Sequence, residues 1–312
     1  MFLTVCLNPT IQKTLRFPSI TANTVNRSAV HRLDASGKGV NVTRVLTQMG
    51  KKAVHLTQLG GDLRPLFLSL CENDSLCVEW AESKSQIRFS YTLLTENDNA
   101  VTELVEESDP VDSETERRLL DKFETLLADS NHSPNSSFLI ISGTKAAGFS
   151  DNVFPIMVKK AKEKDMRVIL DIRGKDLLNC LQYEPDIIKP NLFEFASTFI
   201  PELIKDNDIS ITDDKTTEKI KSAVMDITQK HKCRVVLTNG SRKIFAADRG
   251  NFYDIDVTPV KAVNSIGCGD AFTAGLASAL EDGADFNAAI SEGSRCGASN
   301  AGFEKPGVIK LA

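Results

Sequence analysis

With 312 residues, 41% hydrophobic and 25% charged, the chain is long enough to bury a large α/β core. A formal net charge of −5, with no basic run interleaved with aromatics, argues against nucleic acid as a partner, so an anionic ligand would need a local positive pocket. No apolar run reaches the roughly 20 residues of a membrane span, and seven scattered cysteines without a Cys-x-x-Cys pair point to free thiols in a reducing cytoplasm, not to zinc or disulfides.

Met1 to Leu7 reads as a buried first strand and lacks the charged region of a secretory signal. Thr10 to Leu33 is rich in Thr, Val and Arg and reads as strands of a small lid. Ser36-Gly37-Lys38-Gly39-Val40-Asn41 then opens a helix whose apolar face carries Val42, Val45, Leu46 and Met49. The spacing is neither a Walker loop nor a dinucleotide fingerprint. Either it is a plain glycine turn, or the backbone comes close to a polyol and Asn41 bonds its hydroxyls. Ile87 to Leu94 alternates, Glu96-Asn97-Asp98-Asn99 turns, and Ala100 to Val105 returns, which predicts a hairpin within Gln86 to Glu107. Arg88 in it is either a solvated side chain or a planar clamp for a substrate phosphate.

From Ser113 onward helices and short apolar strands alternate. Helical patterns cover Ser113 to Leu127, Asp151 to Lys164 and Lys215 to Lys230. Strand patterns cover Phe138 to Ile141, Arg167 to Leu170, Asp186 to Ile188 and Arg234 to Leu237. Asn131 to Ser137 is a polar loop too short to separate domains. This rhythm predicts a doubly wound, mostly parallel sheet with helices on both faces and a ligand at the strands' C-terminal ends. Lys189-Pro190-Asn191-Leu192-Phe193-Glu194 follows one strand. Asn191 and Glu194 share a helical face, as a capping box or as an outer-sphere hold on hydrated Mg²⁺. Thr238-Asn239-Gly240-Ser241 closes another strand, as a turn or as a contact to nucleotide phosphates.

Val263 to Gly275 carries the most chemistry. Gly267-Cys268-Gly269-Asp270 places two glycines and an acid at a helix N-terminus, where backbone amides and the helix dipole attract an anion. An acid there is either a cap or the base of a phosphoryl-transfer centre, taking the proton of the attacking hydroxyl. The flanking glycines and the small Ala271, Ala274 and Gly275 favour the base. Cys268 is either an inert small residue lending its N–H or a thiol whose pKa falls at the helix N-terminus.

Gly37-Lys38-Gly39-Val40-Asn41-Val42 and Gly267-Cys268-Gly269-Asp270, in this order and so far apart, resemble the ribokinase/PfkB family of carbohydrate kinases over nearly the whole chain. Leu7-Asn8-Pro9 and the Arg88 region resemble its hexose-phosphate branch of 1-phosphofructokinases and tagatose-6-phosphate kinases. The resemblance implies a single kinase domain over 1–312, with a lid from about 10–33 and 86–107 that often dimerises, and it implies ATP and Mg²⁺. Asp270 would be the base, with Gly267, Cys268 and Gly269 as the anion hole. Gln12, Gly37, Lys38, Gly39 and Asn41 would meet the sugar, and Arg88 its phosphate. Lys189, Asn191, Thr238, Asn239, Gly240, Ser241 and Asn300 would serve the nucleotide, and Asn191 and Glu194 the metal through water.

Three departures bear on substrate. Gln12 stands where the branch carries a hydroxyl-binding Asp. Ser142 to Gly148 replaces the usual Ser-Gly-Ser-Leu-Pro, so that Lys145, with Lys13, would add charge near a substrate phosphate. Asn239 interrupts the usual Ser-Leu-Gly turn. The expected reaction is ATP-dependent phosphorylation of a primary hydroxyl of a hexose phosphate, fructose 1-phosphate first. The alternatives are tagatose 6-phosphate, an unphosphorylated sugar or nucleoside, and, in a different class, a catalytically weak sugar or nucleotide sensor. A nicotinamide dehydrogenase is disfavoured by the missing dinucleotide fingerprint.

Overall fold

The computed structural model describes residues 1–129, 137–204, 209 and 214–311; residues 131–136 of the polar loop expected above lie outside them. In chain order the elements are β1 (Phe2–Leu7), β2 (Thr10–Phe17), β3 (Val30–Ser36), α1 (Lys38–Gln48), β4 (Ala53–Gly60), α2 (Arg64–Asn73), β5 (Cys77–Ser83), β6 (Arg88–Thr95), β7 (Val101–Val105), α3 (Ser113–Asp129), β8 (Phe138–Lys145), α4 (Val153–Lys162), β9 (Arg167–Asp171), α5 (Gly174–Cys180), β10 (Ile187–Ile188), α6 (Leu192–Phe199), α7 (Asp214–His231), β11 (Arg234–Leu237), β12 (Ile244–Asp248), β13 (Asn251–Ile255), α8 (Cys268–Glu281) and α9 (Phe286–Ala301).

Among the described residues, nine strands form one sheet in the order β13-β12-β11-β10-β9-β8-β1-β4-β5. It is parallel from β11 to β5, and β12 and β13 add an antiparallel edge. The parallel strands are apolar on both sides because both sides are covered. Leu3, Val5 and Leu7 of β1 pack toward α3, α4, α5, α6 and α7, while Phe2 packs toward α1, α8 and α9. The expected doubly wound sheet is thus the observed one. The strand expected over Asp186 to Ile188 is β10, which spans Ile187 and Ile188, with Asp186 hydrogen-bonded to β9 and β11 just before it.

The two early β-rich regions form a separate sheet, ordered β3-β2-β6-β7. The alternation at 86–107 is the antiparallel β6–β7 hairpin, and β2 runs parallel to β6. Ile11, Ala35 and Ile87 seal this sheet against Phe67 and Cys71 of α2 and Leu59 of β4. No helix among the described residues is long and apolar enough to cross a membrane. All seven cysteines are free thiols.

Candidate active site

The N-termini of α1 and α8 meet over the C-terminal ends of β8, β9 and β10. Gly267 caps α8 in the left-handed region, at φ 83°. A Cβ there would stand 2.9 Å from Pro306 Cβ, so only glycine lets the turn lie against the C-terminal segment. The amides of Gly269 and Asp270 fall in the first turn of α8, where the helix offers no carbonyl partner. Beneath them lies a buried cation: Lys189 Nζ is 3.7 Å from where a Cβ on Gly269 would be. Dipole, amides and ammonium all favour an anion at this turn.

Asp270 is 5% exposed and accepts a 2.8 Å hydrogen bond at Oδ2 from Asn41 Nδ2. Burial pushes its carboxyl up to about 6; Lys38, the Asn41 bond and Lys189 pull it down, and Asp171 pushes it further up. A carboxylate poised near 6 is mostly ionised at neutral pH yet basic enough to take a proton.

Asp171, absent from the expectations above, organises the cations. It ends β9, is buried, and lies 3.2 Å from Lys189 Nζ and 3.6 Å from Lys38 Nζ. Ser142 and Thr273 donate to the same carboxylate at 3.2 and 3.3 Å. Burial raises the Asp171 carboxyl, but the two ammonium groups outweigh it and hold it below the usual range. Lys38 also lies 3.4 Å from Glu194 Oε1 and is held strongly protonated, by Asp171 foremost. Its head, expected among the sugar contacts, thus lies between Asp171 and Glu194. Lys38, Gly143, Thr144, Asp171, Arg173 and Glu194 line a cavity of about 150 Å³.

The other expected site residues have the following surroundings. Gly39 turns inward: a Cβ would meet Cys6 Cβ at 2.8 Å and His55 Cε1 at 2.9 Å, so its glycine serves the packing of α1 on β1 and β4. Gly37 caps α1 at φ 118° and packs over Cys6 and Asn8. Asn41 is 3% exposed, and both ends of its amide are engaged, by Asp270 and by Arg44. Expected to meet sugar hydroxyls, it is bonded here to two protein side chains. Gln12 is 2% exposed, donates to Thr92 Oγ1 at 2.6 Å and accepts from Ser36 at 2.8 Å. Directly across from it on β3 lies Asp34, which Arg32 holds with two hydrogen bonds.

Lys145 is claimed by Asp176 and Asp151, so its charge is compensated where it stands. Lys13 Nζ lies 3.3 Å from His31 Nδ1. Arg88 donates from Nη1 to the Glu106 carbonyl at 2.9 Å, and its Nε is buried without a partner. Asn191 and Glu194 form the full capping box of α6, which spends the Asn191 amide oxygen and leaves Glu194 Oε1 facing Lys38.

Asn300 is fully buried. It donates to the Ile266 carbonyl and accepts from Gly307 N–H, so it braces the turn before α8. The Cys268 thiol is raised, because burial outweighs the Asn300 hydrogen bond, which agrees with the inert of the two readings above. Thr238 bridges to Asn191, and its carbonyl accepts from Leu192 N–H; Asn239, Gly240 and Ser241 follow as an exposed turn beside α6. The rule that ligands gather at strand C-termini would have found Asp171. No local pattern marks Arg44.

The chain matches the model of the pfkB family carbohydrate kinases over residues 5–307, and it belongs to that family. It is thus an ATP-dependent sugar kinase. Its fold is similar to phosphofructokinase-2 from Escherichia coli in complex with potassium, at 20% identity and a TM-score of 0.84, covering 99% of this chain and 94% of that one. The same protein in complex with fructose-6-phosphate matches at 20% identity and a TM-score of 0.82, covering 96% and 93%. A protein described as a possible 1-phosphofructokinase from Thermotoga maritima matches at 18% identity and a TM-score of 0.84, covering 99% and 94%.

Proposed function

We propose that the chain transfers the γ-phosphoryl group of ATP to a primary hydroxyl of a hexose phosphate, with fructose 1-phosphate as the first choice and tagatose 6-phosphate as the second. The observation that carries the transfer chemistry is Asp270. It is a buried carboxylate pushed up to about 6, set in the first turn of α8 above Lys189. Asp270 takes the proton of the attacking hydroxyl. The amides of Gly269 and Asp270, with Lys38 and Lys189, face the charge that builds on the moving phosphoryl group. Preorganised dipoles and cations need no rearrangement at that moment, which is where their advantage over water lies.

Asp171 and Glu194 already converge on one cation, the Lys38 ammonium, so the donors present suit a cation near the phosphates. Mg²⁺ bound with the nucleotide would be held there through water by Glu194 Oε1, with Asn191 fixing that carboxylate through the capping box, and would offset phosphate charge. The exposed turn Thr238 to Ser241 lies beside α6 on the side where the nucleotide would rest.

Arg88 supports a phosphorylated sugar, since a guanidinium Nε without a protein partner is suited to a ligand oxygen. The small sheet acts as the lid in this reading and excludes water. A second reading, an unphosphorylated sugar, is favoured by the pairing of Lys145 with two carboxylates and of Lys13 with His31. Turnover of fructose 1-phosphate, tagatose 6-phosphate, fructose 6-phosphate and free sugars separates the two. A free sugar with the highest kcat/KM would overturn the first.

We further infer a homodimer through the small sheet, which leaves Val30, Leu104 and Val105 about half exposed. Sedimentation at equilibrium checks this. Seven free thiols support work in the cytoplasm.

A further inference from the structure

Phosphoryl transfer does not by itself explain the guanidinium of Arg44. It is 4% exposed on α1, one turn beyond Asn41, and four elements meet on it. Nη1 donates to Asn41 Oδ1 at 2.8 Å and to the Pro306 carbonyl at 3.0 Å. Nη2 donates to the Ala35 carbonyl of β3 at 2.6 Å, and Nε to Asp74 Oδ2 at 2.8 Å, just beyond α2. Lys305 in turn pairs with Asp74 and with Asp34 of β3.

The two ends of an Asn amide are not equivalent: the oxygen only accepts and the NH₂ only donates. With Oδ1 held by a guanidinium, the Asn41 NH₂ must face Asp270 Oδ2, as it does at 2.8 Å. The flipped amide would set oxygen against carboxylate and NH₂ against guanidinium, two repulsive contacts in a buried site. Gly307 packs against this arrangement, since a Cβ on it would lie 3.0 Å from Asn41 Cα and 3.1 Å from Arg44 Nη1.

We propose that Arg44 is a positioning residue for the base: by fixing the Asn41 amide it commits Asp270 Oδ2 to a hydrogen bond and leaves Oδ1 to receive the substrate proton. The inference rests on Asp270 being the base. In the step itself, the hydroxyl O–H bond breaks and its proton passes to Asp270 Oδ1. The hydroxyl oxygen bonds the γ-phosphorus, and the bond from that phosphorus to the bridging oxygen breaks with its electron pair, leaving ADP. The other ionisable groups around Asp270 are Lys38, Asp171 and Lys189, with the thiols of Cys6 and Cys268. Arg44 itself acts on the acid only through Asn41.

The test is the pH profile of kcat in Arg44→Lys, which keeps the charge but cannot span four acceptors, and in Asn41→Leu, which deletes the donor. Because a buried guanidinium also supports the fold, Asp74→Asn is the milder variant; it keeps Arg44 and loosens its Nε anchor together with the Lys305 pair. Arg44→Lys is expected to lower kcat at pH 6.5 by about 10²-fold, with KM for sugar and ATP changed far less. Its acidic limb moves up by about one pH unit, the loss of one hydrogen bond to the ionised form, so part of the rate returns at pH 9. Asp74→Asn moves the limb the same way by less, and the Arg44→Lys/Asn41→Leu double variant is no worse than Asn41→Leu alone.

A limb at the wild-type position in both folded variants, or fully additive losses, overturns the positioning role. Asp270→Asn run alongside separates the two readings. If it retains turnover, the base assignment fails. If it is inactive while the Arg44→Lys limb stays in place, only the role of Arg44 fails.

Discussion

The two ends of the cleft are built differently. Where α1 and α8 meet, Asn41 holds Asp270 by a hydrogen bond, Asp171 holds Lys189 and Lys38, and the two groups act on each other through charge. At the small sheet, Gln12 is spent on Thr92 and Ser36 and Asp34 on Arg32, and at the end of β8 Lys145 is spent on two carboxylates. One end gathers charge around two helix N-termini, and at the other most polar groups are met by protein partners, with Arg88 Nε and Thr14 Oγ1 buried without one. A centre that stabilises charge must be rigid before the charge appears. A surface that recognises hydroxyls can exchange internal bonds for ligand bonds when it closes.

The sharpest break of this contrast is Asp270→Asn. Turnover should fall by about 10²–10⁴-fold, the usual share of a general base. In the wild type, kcat/KM should rise with pH through about 6, because the base must be ionised. Stability should move the opposite way. The folded-state pKa lies above the ordinary 3.8, so this group's favourable contribution is present at low pH and is lost as pH rises through about 6. The inactive Asn variant should therefore melt higher than wild type at pH 7.5, and the gap should close toward pH 4. Equal melting temperatures at pH 7.5 would show that the buried carboxylate carries no strain.

At the other end, Arg88→Ala should raise KM for a sugar phosphate by about ten- to hundredfold, the worth of a hydrogen bond to a charged group, and leave KM for ATP alone. An unchanged KM would remove Arg88 from the phosphate site and favour the unphosphorylated sugar. Gly39→Ala should act on stability before chemistry. Its Cβ collides with Cys6 and His55, and overpacking of this kind costs about 1–3 kcal/mol, read as a drop in denaturant midpoint. The smallest effect belongs to Lys145→Met. With its ammonium already claimed by Asp176 and Asp151, kcat/KM should stay within about threefold, under 1 kcal/mol; a large loss on phosphorylated sugars alone would return Lys145 to the substrate site.

Several elements were readable because they are periodic. Apolar runs at 138–141, 167–170 and 234–237 became β8, β9 and β11, and alternation with a turn at 96–99 became the β6–β7 hairpin. The antiparallel edge β12–β13 carried no such signal, nor did the capping use of Asn191 and Glu194, where the same two residues suit either role.

Residue order alone determined the class of fold, the helix-opening glycine turns and the acid beside one of them. These depend on backbone sterics and local periodicity, which neighbouring residues control. Only the tertiary structure decided what each polar side chain does. Asn41 and Asp270 are 229 positions apart, yet they share a hydrogen bond. Arg44 gathers carbonyls from β3 and from the C-terminal turn. Cys268, at a helix N-terminus, is raised because burial outweighs its position. A polar group's role follows from which partner reaches it once water has been excluded, and that is a property of the packed chain.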